Sequence, residues 1–200
     1  MNYRLNCNTS HRIILKKSEF ITELYRVFSM DDINVIIKDA HKRHPKATHI
    51  CSAYRVNQLE KSNDDGEPSG TAGLPMLEVL RKQHIINVLA LVIRYYGGIQ
   101  LGAGGLTRAY SNSVVQAIET IQLNPIVEMI DTVIQFPITY TDIILSKLKD
   151  IEILNKSFSD QVQFTIRSIN DHYLIELREI TRGQIEVLSQ TMNEVEKKTK

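Results

Sequence analysis

The hydrophobic positions of this chain switch repeatedly between strand-like runs and helical spacing. Residues 12 to 28 are β-rich, with Ile13, Ile14 and Leu15, then Phe20, Ile21, Leu24, Tyr25 and Val27. Lys16 to Glu19 reads as a bend between two strands. Ser29, followed three residues later by Asp32, has capping-box form and predicts a helix. Ile33, Ile36, Ile37 and Ala40 fall on one face of it, and His44-Pro45 ends it, because the residue before proline avoids the α region. Ala47 to Val56 reads as a strand and Gln58 to Gly70 as a polar loop without periodicity. Pro75 suits the first turn of a helix whose apolar side is Leu74, Leu77, Val79 and Leu80. Asn87 to Tyr95 is apolar nearly throughout, which predicts the middle strand of a sheet. A loop from Gly97 to Gly105 follows, then a helix over Leu106 to Ile121 carrying Ala109, Tyr110, Val114, Ala117 and Ile118 at i, i+3, i+4 spacing.

At Asn124-Pro125 the pattern breaks and restarts. Asp131 to Pro137 predicts a strand, Tyr140 to Lys149 a helix, Ile153 to Phe158 and Val162 to Ile169 two strands. Tyr173 to Ile180 predicts a second helix, stopped by Gly183, and Ile185 to Leu188 a last strand. The order β-α-β-β-α-β is that of a ferredoxin-like split βαβ unit. The expected class is therefore α+β, with one domain over residues 1–125 and a second over 126–200. Glu194 to Lys200 reads as a charged, frayed tail.

Composition adds bounds. Two hundred residues, 42% hydrophobic and 24% charged, are ordinary for a globular protein, and the net charge of +1 argues against capture of nucleic acid or membrane by bulk charge. The first 125 residues carry 15 basic and 11 acidic side chains, a net of +4; the remainder carries 9 and 12, a net of −3. Two cysteines, Cys7 and Cys51, cannot build a disulfide framework or a CxxC metal site. Cys51 lies in an apolar run, as a small buried hydrophobe would. No secretory signal pattern opens the chain, and the longest apolar run, Val88 to Ile93, is far short of the ~20 residues of a membrane helix. A cytoplasmic location without membrane association is expected.

Candidate chemistry concentrates in one place. Eight of the nine glycines lie between residues 62 and 110: Gly66, Gly70, Gly73, Gly97, Gly98, Gly102, Gly104 and Gly105. Interleaved with them are Asp64, Asp65, Glu67, Ser69, Thr71, Arg94, Tyr95 and Arg108. A strand, glycine loop and helix N-terminus in this order can cradle an anion with backbone N–H groups, and Arg94 and Arg108 would complete such a site. Neither GxxxxGK[ST] nor GxGxxG is present, so a tight connection without a ligand stands beside that reading. Asp64-Asp65-Gly66-Glu67 has three close carboxylates, but no EF-hand spacing; it is a polar turn, a recognition surface, or a metal or acid–base site.

Ser69, Thr71, His49, Cys51 and Asp64 supply the residue types of a nucleophile–base set. Ser69 is not in a G-x-S-x-G elbow, and His49 within a strand is commonly structural. Lys38, His41, Lys42, Arg43, His44 and Lys46 form a basic cluster at the end of the first helix, either complementing its dipole or meeting a phosphate backbone. Tyr95 and Tyr96 offer stacking surfaces, although one of two adjacent tyrosines in a strand faces the core.

DDGEPSGTAG and RYYGGIQLGAGGLTRAY, with KKSEF (Lys16 to Phe20), HPKATHICSAYRV (His44 to Val56) and TRGQIEVL (Thr181 to Leu188), resemble the YigZ/IMPACT family, in its bacterial two-domain branch. The resemblance spans both halves of the chain. Glu19 stands where arginine is frequent, Asn63 where serine is usual, and Leu74 where a basic residue is frequent. The resemblance implies an N-terminal domain with the fold of the second domain of small-subunit ribosomal protein five. It also implies a ferredoxin-like C-terminal domain similar to the last domain of elongation factor G. Glycine and polar residues concentrated without a coherent catalytic set, beside that resemblance, lead us to expect a translation-associated binding protein rather than an enzyme, with ribosome, RNA or a translation factor as partner and no cofactor. An enzyme acting on a small phosphorylated or peptide substrate, and a protein-interaction adaptor, are the alternatives.

Overall fold

A computed structural model describes residues 1–197. The described residues divide into two compact units, Met1–Ile126 with Glu196 and Lys197, and Val127–Val195.

In the first unit a five-stranded sheet is built from β2 (Thr9–Leu15), β3 (Ser18–Arg26), β4 (His49–Val56), β5 (Leu59–Asn63) and β6 (Val88–Tyr95). The strand order is β2-β3-β6-β4-β5, with every neighbouring pair antiparallel. The apolar β6 lies at the centre, buried on both faces, as its unbroken run requires. Alternate residues of the sheet feed two cores. Phe20, Leu24, Cys51, Ala90 and Val92 pack with α2 (Gly73–Lys82) and α3 (Ala103–Glu119). Ile50, Tyr54, Leu89, Leu91 and Ile93 pack with α1 (Met30–Arg43) on the other side. The unit is thus three layers, helix over sheet over helix pair. The α1 start has the expected capping box, with the Ser29 hydroxyl accepting from the Asp32 amide at 3.1 Å and the Asp32 carboxylate accepting from the Ser29 amide at 3.0 Å. A short β1 (Tyr3–Leu5) pairs with the beginning of β7 (Leu123–Phe136).

The second unit runs, after its part of β7, through α4 (Thr141–Lys147), β8 (Glu152–Phe158), β9 (Val162–Ser168), α5 (Tyr173–Ile180) and β10 (Glu186–Glu196). Its strand order is β10-β7-β9-β8, and its core gathers Ile134, Phe136, Ile144, Phe164, Ile166 and Leu177. Gly183, at φ +78, ends α5 by donating its amide to the Arg178 carbonyl at 2.8 Å.

Several elements differ from the expected ones. The segment 58–70 holds β5, an edge strand whose five residues are mostly exposed; it pairs with β4 through the backbone and the cross-strand Arg55–Glu60 ion pair, which leave no hydrophobic period. Strands β1 and the start of β2 precede residue 12, where short, half-exposed segments carry equally weak signals. The α3 helix begins at Ala103, so Gly104 and Gly105 belong to its first turn and not to a loop. Strand β7 passes unbroken through Asn124 and Pro125, whose missing N–H falls near the strand's start. The expected frayed tail is instead ordered in part: β10 extends to Glu196, whose carboxylate takes two hydrogen bonds from Arg26 at 2.7 and 3.2 Å and one from Asn124 at 2.7 Å. The last part of that tail, residues 198–200, lies outside the described residues.

Candidate functional site

The two glycine-rich loops meet at one end of the central sheet, on the face covered by α2 and α3. Register aligns Phe20, Arg94 and His49 side by side on β3, β6 and β4, and strand alternation sends all three toward that layer. Arg94 is only 5% exposed. Its Nη1 donates to Glu67 Oε1 at 2.5 Å and its Nη2 to Ser18 Oγ at 3.5 Å, while the guanidinium lies 5.4 Å from the Phe20 ring centre and 5.5 Å from that of Tyr96. Glu67 is almost wholly buried and also accepts the Tyr110 hydroxyl at 2.7 Å. Burial above all, then Cys51 and Glu67, push the Tyr110 pKa far up, so its hydroxyl keeps the proton it donates. Cys51 extends the chain, donating to the Asp64 carbonyl at 3.0 Å and to the Tyr110 oxygen at 3.4 Å.

The acidic loop is folded by its own carboxylates. Asp64 accepts the amides of Gly70, Ala72 and Gly73 at 2.8, 3.1 and 2.7 Å, capping an α2 N-terminus whose N-cap residue, Ala72, has no side-chain acceptor. Asp65 accepts the Ile50 amide at 2.6 Å, and its carbonyl takes the His49 Nδ1–H at 2.8 Å. This leaves His49 Nε2 facing Glu67, 3.9 Å from its Oε1. Thr71 closes a turn on the Pro68 carbonyl through both its amide (3.0 Å) and its hydroxyl (2.6 Å). Gly73 must be glycine, since a Cβ there would lie 2.7 Å from the Asn63 backbone. Among the described residues no group of three or more His, Cys, Asp or Glu is placed to hold a metal ion. The carboxylates of Asp64 and Asp65 are engaged by backbone donors.

Between the loops lies a cleft of about 450 Å³ lined by Glu67 and Arg94 together with Thr48, His49, Tyr96, Gln100, Gly102 and Leu106, among others. Gly102, at φ +70, starts α3 without a side-chain cap, so the amides of the first turn have no side-chain acceptor. Tyr96 is 46% exposed over the cleft, and its amide donates to Thr48 Oγ1 at 3.0 Å.

Of the residues singled out from sequence, His49, Glu67, Arg94, Tyr96 and Gly102 line this cleft. Asp64, Asp65 and Thr71 hold the loop that forms one wall. Ser69 and Gly70 are exposed on that loop, Gly98 sits in the second one at φ +82, and Gly97 packs against the Lys17 backbone. Gly104, Gly105 and Arg108 lie on α3, with Arg108 exposed and not among the lining residues. Tyr95 turns to the opposite face, where it packs toward the α1 core and bonds His44 Nδ1 at 2.9 Å. Alternation from Arg94 places Tyr96 at the cleft instead. That alternation was the available signal for Tyr96; Thr48, Gln100 and Leu106 carried none. Of the basic cluster after α1, Arg43 is paired with Glu23 at 2.6 Å and Asp39 at 2.7 Å, whereas Lys38, His41, Lys42 and Lys46 are exposed.

The nucleophile–base set does not assemble as a reactive group. Burial, aided by Glu67, Asp65 and Asp64, pushes the Cys51 thiol up to about 12, despite an opposing hydrogen bond to Tyr110. In the folded protein at mildly alkaline pH, iodoacetamide is expected to label exposed Cys7 and leave Cys51 unlabelled until denaturant is added. Peptide mapping checks this, and rapid native labelling of Cys51 would contradict it.

Residues 16–118 match the Impact N-terminal domain model. The chain is 41% identical over 161 residues to the IMPACT family member YvyE of Bacillus subtilis, a match covering 77% of this chain and 73% of that protein. It is 41% identical over 109 residues to the IMPACT family member YigZ of Escherichia coli, which covers 52% of this chain and about half, 53%, of the relative. A crystal structure of a hypothetical protein superposes with a TM-score of 0.60 at 29% identity, covering 94% of this chain and 96% of that one. Mixed α+β architecture over both units is thus shared with a solved structure. Among the described residues no helix is long and apolar enough to cross a membrane.

Proposed function

Since the chain belongs to the IMPACT family, we propose that it is a regulatory binding protein of the translation machinery, acting in the cytoplasm through the cleft between its two glycine loops. The observation that carries this reading is Tyr96, a half-exposed ring over a cleft whose floor is the buried Arg94–Glu67 pair. An aromatic platform beside polar groups and uncapped amides suits a base with its phosphate. Asp64, Asp65, Thr71, Gly97 and Gly98 hold the walls in this reading. Ser69, Gly104, Gly105 and Arg108 would meet the partner outside the cleft, and Tyr95 would anchor the strand end that precedes Tyr96.

The family resemblance supplies the rest. The first domain, taken as residues 1–125, would share the fold of the second domain of ribosomal protein five. The second, 126–200, would be ferredoxin-like, as in the last domain of elongation factor G; its β-α-β-β-α-β order with strands β10-β7-β9-β8 supports that likeness. Fold kinship is analogy, and the site must carry the function.

The test is cosedimentation with ribosomes and subunits across a salt series. Arg94 is unsuitable for truncation, because its loss strands buried Glu67. Tyr96→Ala with Arg108→Ala leaves the buried network intact. Binding that weakens with salt, and that the double variant weakens by about 1–3 kcal/mol for the stacked base alone, is the expected result. Absence of wild-type cosedimentation at low salt would overturn the proposal.

A further inference from the structure

The hairpin joining β2 to β3 turns in two residues, Lys16 and Lys17, between the paired Leu15 and Ser18. Both lysines are left-handed, at φ +45 and +64. Positive φ at both positions is the geometry of a type I′ turn, which Asn-Gly adopts at least cost and lysine does not favour. A strained conformation of this kind persists where the surroundings over-determine it, and such strain clusters at functional sites.

The surroundings here are the second glycine loop. A Cβ on Gly97 would lie 2.0 Å from the Lys17 carbonyl carbon and oxygen, so the loop and the turn are in direct backbone contact. The Gly97 amide also donates to Ser18 Oγ at 3.1 Å. This clamp fixes the Lys17 backbone, and with it the two-residue turn, against residue 97, one position from Tyr96. Both are exposed, and neither is in an ion pair among the described residues; the adjacent Glu19 is occupied by Arg12 at 2.7 Å.

Resting on the cleft reading above, we propose that Lys16 and Lys17 form a phosphate-binding tip that holds the backbone of a single-stranded RNA whose base stacks on Tyr96. Two exposed lysines on a turn whose backbone meets the loop one residue from a half-exposed aromatic ring match the alternating phosphates and bases of a single strand. An acidic peptide offers the charges without the ring.

The test is fluorescence anisotropy of the full chain with a labelled oligouridylate of about twelve nucleotides, over a salt series and with polyglutamate as competitor. The variants are Lys16→Asn with Lys17→Gly, and Tyr96→Ala. The turn variant is expected to bind about tenfold or more weakly, with the log–log salt slope reduced by about 1.4, the value for two lost single-strand phosphate contacts. Its melting temperature is expected to rise, because Asn-Gly relieves the turn. Weaker binding in a more stable protein separates contact from damage. Unchanged affinity and slope in the turn variant would overturn the role of the lysines while leaving Tyr96 and the cleft standing. Equal competition by polyglutamate, or no oligouridylate binding by the wild type at low salt, would also overturn it; ribosome cosedimentation reports separately on the cleft reading.

Discussion

Gly97→Ala is expected to cost the first unit more stability than any other glycine replacement in the second loop. The added Cβ would meet the Lys17 carbonyl at 2.0 Å and the Ser18 amide nitrogen at 2.5 Å, and none of these is the flexible end of a side chain. Relief requires the β2–β3 hairpin to move away from β6, against a ladder that pairs β3 with β6 from Glu19↔Tyr95 to Arg26↔Val88. Overpacking of rigid sites costs about 1–3 kcal/mol and more where backbone must shift, so a loss of at least about 3 kcal/mol is expected. Urea unfolding, followed by hydrogen exchange at β6 amides, measures it in the right unit. Gly104→Ala is the control. Gly104 sits in α3 with no atom within 4 Å of a Cβ, and the change there is expected to be neutral or stabilising by up to about 1 kcal/mol. Equal effects at the two positions would mean that hairpin and loop are not clamped as described.

Glu67→Ala is expected to be comparably damaging for a different reason. It leaves the Arg94 guanidinium buried without its counter-charge and the Tyr110 hydroxyl without its acceptor. Removing one partner of a buried pair costs about 3–5 kcal/mol, because the remaining charge has lost the water it had when unfolded. Tyr110→Phe removes one hydrogen bond to the same oxygen and is expected to cost about 1–3 kcal/mol. The double replacement Glu67→Leu with Arg94→Met is expected to recover much of the loss, since apolar groups of similar volume often match a buried ion pair. That rescued protein also reports on function. Ribosome binding lost in a stable double variant would show that the pair shapes the cleft, whereas retained binding would confine it to the fold.

Much of the fold was legible in short windows. The capping box at Ser29 and Asp32, the apolar run of β6 and the helical spacing of α3 are signals that a few neighbouring residues generate by themselves. The boundaries of α5 were readable for the same reason, with Gly183 marking its end. Edge strands were not. Strand β5 is written LEKSN, and it is paired by the backbone of β4 and by the cross-strand Arg55–Glu60 ion pair at 2.6 Å, neither of which leaves a hydrophobic period. The far end of β10 was equally silent, because Glu196 becomes fixed by Arg26, 170 residues away.

The site divides along the same line. The local composition was enough to show glycines and polar residues gathered in two segments, because that is a matter of neighbouring residues, and it carried the family likeness. What each residue does there was set by the folded sheet and its loops. The fold spent Asp64 and Asp65 on backbone amides, buried Arg94 against Glu67, and turned Tyr95 away and Tyr96 toward the cleft. It also brought Lys17 against Gly97. These outcomes depend on strand register and on contacts between residues 6 to 80 positions apart. A side chain's charge is written in the sequence, but its partner and its access to water are set only when the sheet places it.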